Sequence, residues 1–271
     1  MRVLLLHGFS GGPPSFLRVL DALPDDAEVL IPPLVGHRGP GLRGSAVGVR
    51  DALGSGQVTP AAFEPEWERA DGFEQCVDEL AASLSAVAFS AGLVCGYSLG
   101  ARLALGLACR HPQLVRSAVL IGVHPGLNDP QERHLRRRED AARAEQLRQR
   151  PLTEFVDDWQ RHPVLQTQDR VPPAWLEEQR ALRLSQDSAG LAHSLECMGL
   201  AAMPDYSPQL ARLSCELTLV TGELDQKFTE LARQMCQLVP RARHVVIDAC
   251  GHNALLERPS SVGRILRELS T

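Results

Sequence analysis

One short stretch of this 271-residue chain is built for nucleophilic or acid–base chemistry: Gly96-Tyr97-Ser98-Leu99-Gly100, a G-x-S-x-G string. A serine hydroxyl is inert until a neighbouring group takes its proton. The flanks give the string its meaning. Gly92-Leu93-Val94-Cys95 reads as an apolar strand entering it, and Leu99–Ala108 reads as a helix leaving it. A sharp strand-to-helix turn of this kind stands the hydroxyl out at the helix N-terminus, with glycines where a Cβ would clash. The plainer alternative is a serine that only caps a helix after a buried strand.

A serine in this setting needs an acid and a histidine that follow it in chain order, each just beyond a strand. Asp225 lies after the apolar run Leu217–Thr221, and His252 lies after His244–Asp248. Ser98, Asp225 and His252 are therefore the expected catalytic set, with Glu223 and Asp248 as rival acids. His111, His134 and His162 read as solvated surface residues. An anion developing next to Ser98 would need backbone N–H donors at the strand tips. His7-Gly8-Phe9-Ser10-Gly11-Gly12 follows the first strand, so the Phe9 and Leu99 amides are the natural oxyanion pair.

The elements that must position these groups form an α/β pattern. Short apolar runs at Val3–Leu6, Glu28–Ile31, Leu93–Tyr97, Ala118–Gly122, Leu217–Thr221 and His244–Asp248 alternate with helical stretches. Those helices are expected near Pro14–Leu23, Leu99–His111, Thr229–Val239 and Ser260–Leu269. Continuous apolar runs predict a mostly parallel sheet covered on both faces. Gly36 to Asp71, rich in Gly, Pro and Ala, reads as a long loop. Residues 125–204 are polar and arginine-rich, with helical spacing in Gln131–Arg148, Leu152–Gln160 and Ala174–Leu184. They are expected to form an all-helical lid over an α/β core of residues 1–124 and 205–271, at the sheet edge where ligands bind in open α/β folds.

Composition narrows the partners. The formal net charge is −5 and the pI is near 6.0, which argues against a nucleic-acid partner. No apolar run approaches the length of a membrane span. Seven dispersed cysteines with no CxxC pair suit a reducing, cytoplasmic setting. Of the 28 basic side chains, 27 are arginine and Lys227 is the single lysine.

Taken together, the motifs resemble the α/β-hydrolase fold over essentially the whole chain. More narrowly, the sequence is similar to the 2-succinyl-6-hydroxy-2,4-cyclohexadiene-1-carboxylate synthase family of menaquinone biosynthesis. The matching stretches are His7-Gly8-Phe9-Ser10-Gly11, Gly96-Tyr97-Ser98-Leu99-Gly100-Ala101-Arg102, His124-Pro125-Gly126-Leu127, Asp158-Trp159 with Pro163-Val164, Asp225-Gln226-Lys227-Phe228 and Gly251-His252-Asn253-Ala254. The chain departs from the family in its long loop Arg38–Arg69 and in Val35-Gly36-His37-Arg38-Gly39 where Pro-Gly-His-Gly is usual, and the antiparallel strands that usually precede the first motif are expected to be missing or abbreviated.

The resemblance implies a lyase rather than an ester hydrolase. Ser98, activated by His252 and Asp225, would remove the ring proton alpha to the succinyl ketone of 2-succinyl-5-enolpyruvyl-6-hydroxy-3-cyclohexene-1-carboxylate. The Phe9 and Leu99 amides would hold the enolate, and elimination would expel pyruvate. No metal or organic cofactor is implied. The expected partner is a small-molecule polycarboxylate, and three carboxylates call for several cations, preferably guanidinium forks. Arg102 lies one helical turn after Ser98 and can face the same cleft. The resemblance adds Arg136, Arg183 and Lys227, with Tyr97 and Trp159 as polar and aromatic walls. Arg136 sits in an Arg136-Arg137-Arg138 run, a pattern that is ordinarily a solvated helix face. Two alternatives stay open: an α/β-hydrolase cleaving an anionic ester, thioester or carbon–carbon bond with Ser98 as nucleophile, and a non-catalytic binding module on the same fold.

Overall fold

A computed structural model describes residues 1–270 apart from 40, 56–61, 68–69 and 240. Seven strands form one sheet in the order β3-β2-β1-β4-β5-β6-β7. They are β1 (Arg2–Leu6), β2 (Glu28–Ile31), β3 (Leu42–Ser45), β4 (Gly92–Tyr97), β5 (Val115–Ile121), β6 (Glu216–Gly222) and β7 (Arg243–Ile247). Every pairing is parallel except β2 with β3. Successive side chains of a strand point to opposite faces, and the core divides accordingly. Leu4, Leu6, Val94, Leu120 and Leu219 enter one apolar cluster, whereas Val3, Leu5, Leu93, Val119 and Val220 enter another on the opposite face.

The first cluster is covered by α3 (Phe73–Ala86), α4 (Leu99–Arg110) and α9 (Gln226–Leu238). The second lies under α1 (Leu17–Leu20), α2 (Ala46–Ser55), α10 (Ala254–Glu257) and α11 (Pro259–Glu268). The chain runs outward from β1 to β2, then crosses back to place β4 on the other side of β1. That reversal opens a crevice at the carboxyl ends of β1 and β4, where open α/β sheets take their ligands.

The structure departs from expectation in the region 36–86. The segment expected as a loop contains β3 and α2, and the helix α3 that follows it lies outside the expected helices. β3, Leu-Arg-Gly-Ser, has little intrinsic strand character. It is held by its antiparallel register, Glu28 opposite Ser45 to Ile31 opposite Leu42, and by Glu28 accepting from both Arg2 and Arg43. It supplies the sheet with an antiparallel edge from within the chain. In α3 the buried residues Phe73, Cys76, Val77, Leu80, Ala81 and Leu84 recur with the helical period. Residues 40, 56–61 and 68–69 of the expected loop Arg38–Arg69 lie outside the described residues.

Between β5 and β6 the described structure is helical: α5 (Pro130–Gln149), α6 (Leu152–Gln160), a 3-10 stretch Pro163–Arg170, α7 (Pro173–Leu184) and α8 (Ser188–Met198). Asp129 caps α5 by accepting from the Gln131 N–H at 2.8 Å, with Pro130 in the first turn. Asp187 caps α8 through the Gly190 N–H at 2.9 Å. These helices share a small core of Ala144, Leu147, Phe155, Leu191, Ala192 and Leu195, and Phe9 of the β1 loop packs against it. No helix of the described residues is long and apolar enough to cross a membrane.

Candidate active site

The turn after β4 forces Ser98 into a strained backbone, φ 52° and ψ −105°. Two glycines make the turn possible. A Cβ on Gly96 would lie 2.4 Å from the Gly100 carbonyl oxygen, and one on Gly100 would lie 2.1 Å from the Leu6 carbonyl oxygen. The Ser98 N–H donates to the Ile121 carbonyl at 2.8 Å, tying the turn to β5. The Ser98 hydroxyl is thereby left 3.0 Å from Nε2 of His252. Nδ1 of the same ring lies 2.7 Å from Oδ2 of Asp225. A carboxylate on Nδ1 holds the proton there, so that Nε2 is free to accept from the hydroxyl.

The loops carrying the acid and the base are fixed from both sides. Asp225 closes the β6 turn, its N–H donating to the Gly222 carbonyl at 3.0 Å. Its rival Glu223 has a different task, accepting the Ala249 N–H at 2.9 Å, and Asp248 is exposed. Glu257 accepts from the backbone N–H groups that flank His252, Gly251 at 2.7 Å and Asn253 at 3.2 Å. Thr167 of the helical segment abuts Gly251 so closely that a Cβ there would meet its Oγ1 at 1.8 Å.

Phe9 and Leu99 both line a cavity of about 570 Å³ that opens on Ser98. Leu99 is the first residue of α4, so its N–H has no intrahelical acceptor. Phe9 lies on a loop held by two buried histidines. Nε2 of His7 accepts from the Leu34 N–H at 3.2 Å, and Nε2 of His37 accepts from the Ser10 N–H at 3.0 Å. The rings meet edge to face, 4.9 Å between centroids. Burial pushes the His7 pKa down to about 3 and that of His37 down to about 4, so both rings are neutral.

The six side chains expected to bind substrate all line this cavity. Arg102 is buried, and Nη1 donates to the Met198 carbonyl at 2.7 Å. Burial, with Arg136 nearby, lowers its pKa to about 9, which still leaves it charged at neutral pH. Arg136 separates from its run: Arg137 and Arg138 are exposed, whereas Arg136 turns inward, Nε on Oδ1 of Asp140 at 2.8 Å. Burial brings Arg183 down to about 10, and its Nη1 has no partner. Lys227 sits 5.9 Å from the Phe228 ring centroid. Tyr97 lies 5.5 Å from the His252 ring, and its phenol pKa is raised by burial. Trp159 lies edge-on to Phe9, 5.3 Å between centroids.

The charge of this wall is felt at a neighbouring residue. The His124 pKa falls to about 4, first through burial and then through Lys227, Arg102 and Arg136. Those three cations also line the cavity itself.

Two histidines assigned to the solvated surface are placed differently. His162 is half-buried, lines the cavity and packs on Trp159, 5.0 Å between centroids, because the 3-10 stretch after α6 folds back over the site. His111 is half-buried and lies 2.7 Å from Asp78. His134 is exposed as expected. Sequence reasoning missed Asp140, Glu257 and His37. Asp140 carried a legible signal, its i,i+4 spacing from Arg136. The other two act through backbone N–H groups and leave no pattern in residue types.

Comparison with known proteins fits this geometry. The model of the alpha/beta hydrolase family matches residues 3–263. The chain belongs to that family. It is 30% identical over 267 residues to 2-succinyl-6-hydroxy-2,4-cyclohexadiene-1-carboxylate synthase of Escherichia coli O1:K1 / APEC, covering 96% of this chain and 90% of that one. Among solved structures, MenH from S. aureus superposes with a TM-score of 0.84 at 25% identity, over 98% of this chain and 91% of the other. A thermophilic esterase from Thermogutta terrifontis shares the fold, with a TM-score of 0.77 at 24% identity over 99% and 89% of the two chains.

Proposed function

We propose that this α/β-hydrolase-family chain is a carbon–oxygen lyase, a 2-succinyl-6-hydroxy-2,4-cyclohexadiene-1-carboxylate synthase acting in menaquinone biosynthesis. The observation that carries the reading is the combination of Ser98, His252 and Asp225 within hydrogen-bond reach with a cavity bearing Arg102, Arg136, Arg183 and Lys227. A neutral ester has no use for that charge, whereas a tricarboxylate substrate does. The name of the Escherichia coli relative points the same way.

In this reading His252 takes the Ser98 proton, and the serine oxygen removes the ring proton alpha to the succinyl ketone. The electron pair moves onto the ketone oxygen, where the Phe9 and Leu99 amides stabilise the enolate. Collapse of the enolate shifts the ring double bond and expels the enolate of pyruvate, whose methylene carbon takes up the proton held by His252, giving pyruvate and a neutral imidazole. Asp225 keeps the ring in the required tautomer. The helices α5–α8 act as a lid, residues 125–204, over a core of residues 1–124 and 205–271, and exclude water from the enolate. The chemistry needs no metal or organic cofactor, and the free thiols suit a cytoplasmic enzyme.

The test is pyruvate release from freshly made 2-succinyl-5-enolpyruvyl-6-hydroxy-3-cyclohexene-1-carboxylate, corrected for spontaneous breakdown. Ser98→Ala and His252→Ala should each lower kcat by at least about a thousandfold while the variants stay folded. The strained Ser98 backbone also suits a true nucleophile, which favours hydrolysis of an anionic ester as the second reading. Background-level pyruvate release by folded wild-type protein would move the function to that reading.

A further inference from the structure

Helix α7 runs along the cavity; besides Glu178, its polar lining residues are Gln179 and Arg183. They stand four residues apart, hence on one helix face and on successive turns. Two other charged groups of this helix are already engaged: Arg180 donates to Asp157 at 2.8 Å, and Glu178 pairs with Arg18, whose guanidinium lies 4.2 Å from the Trp175 ring centroid. Gln179 and Arg183 differ. Oε1 of Gln179 and Nη1 of Arg183 are both buried, and neither has a hydrogen-bond partner. Arg183 is 5% exposed overall. Folded proteins seldom leave such groups unpaired, and two on one face of a cavity wall mark where a ligand supplies the partners.

The chemistry of the missing partner follows from the two atoms. A guanidinium Nη1 donates, and its preferred acceptor is an anionic oxygen. An amide Oε1 only accepts, so it needs an O–H or N–H. We propose that Gln179 and Arg183 form a clamp for a hydroxy acid, Arg183 taking a carboxylate oxygen and Gln179 accepting from a hydroxyl on the adjacent carbon. Resting on the lyase reading above, the clamp holds the ring carboxylate at position 1 together with the 6-hydroxyl. Arg102, Arg136 and Lys227 are then left to the succinyl and enolpyruvyl carboxylates. The clamp fixes the ring through groups that do not react, and it orients the proton-bearing carbon toward Ser98.

The experiment measures binding and needs no turnover. The probes are 2-hydroxycyclohexane-1-carboxylate and cyclohexanecarboxylate, titrated by NMR into the full-length protein and into Gln179→Leu and Gln179→Met. Wild type should bind the hydroxy acid about tenfold more tightly than the acid lacking the hydroxyl. In both variants that preference should fall to near unity, with affinity for the unhydroxylated acid within about twofold of wild type. Two apolar replacements of different shape guard against one that fails to fold. A preference retained in a folded variant overturns the clamp, as does equal or undetectable binding of the two probes by wild type. Loss of the lyase reading in the pyruvate assay is a separate result, because a hydroxyl preference dependent on Gln179 stands without it.

Discussion

The Ser10 backbone N–H donates to Nε2 of His37 at 3.0 Å, while the Nδ1 proton of that ring goes to the Val35 carbonyl. Ser10 itself has φ 58°. The loop that aims the Phe9 amide is therefore held in a left-handed turn by a side chain 27 residues further along the chain. His37→Phe keeps the ring volume and removes the acceptor. It should lower kcat by about ten- to a hundredfold with KM within about threefold of wild type, because the Phe9 amide, as the proposed oxyanion donor, would act mainly in the transition state. Leaving the Ser10 N–H unpaired should also cost about 1–3 kcal/mol of stability. Steady-state kinetics and urea unfolding of the variant check both effects, and an unchanged kcat would remove His37 from the account.

Acid should destabilise this protein through the same residues. His7, His37 and His124 have pKa values of about 3, 4 and 4 when folded, against 6.5 when unfolded. Between those values the unfolded chain binds more protons than the folded one, so stability is complete above pH 6.5 and falls as pH drops toward 4. Each buried histidine contributes up to about 1.4 kcal/mol per pH unit in that window. Urea unfolding at pH 7.0 and pH 5.0 should show the loss, and His37→Phe should show a shallower dependence. A flat profile would mean that these rings are not held neutral.

The turn at Ser98 has no room for a methyl group. Gly100→Ala would drive a Cβ to within 2.1 Å of the Leu6 carbonyl oxygen, backbone that belongs to β1, an interior strand of the sheet. The expected cost is at least about 3 kcal/mol, as for a strongly overpacked core. A chemical denaturation curve measures it, and a loss below about 1 kcal/mol would show that α4 can move away from β1 cheaply.

What the sequence made legible follows from where the information resides. Ser98, Asp225 and His252 lie at the ends of apolar runs, so strand periodicity and chain order were enough to select them. Arg102 followed from its fixed spacing to Ser98. Arg136 could not be separated from Arg137 and Arg138 by composition, since only the rotation of α5 decides which arginine faces inward. β3 was illegible because Leu-Arg-Gly-Ser becomes a strand through its pairing with β2, a tertiary effect on a sequence of weak preference. The helix α3 carries its period in Phe73, Cys76, Val77, Leu80, Ala81 and Leu84, but the Gly- and Pro-rich stretch before it masks its start. His37 and Glu257 hold backbone groups, Ser10 N–H in one case and the amides flanking His252 in the other, and neither bond is written in residue spacing.

In the proposed elimination Ser98 removes a ring proton. The most direct measurement uses substrate deuterated at the ring carbon bearing the succinyl group. Wild-type protein should release pyruvate with kcat/KM reduced by a primary isotope effect of about two- to sixfold when proton transfer limits the rate. The ring product should carry no deuterium at that carbon. Pyruvate formed above background with the label retained, or product bearing oxygen from solvent water, would contradict the elimination and leave Ser98 as the nucleophile of a hydrolase.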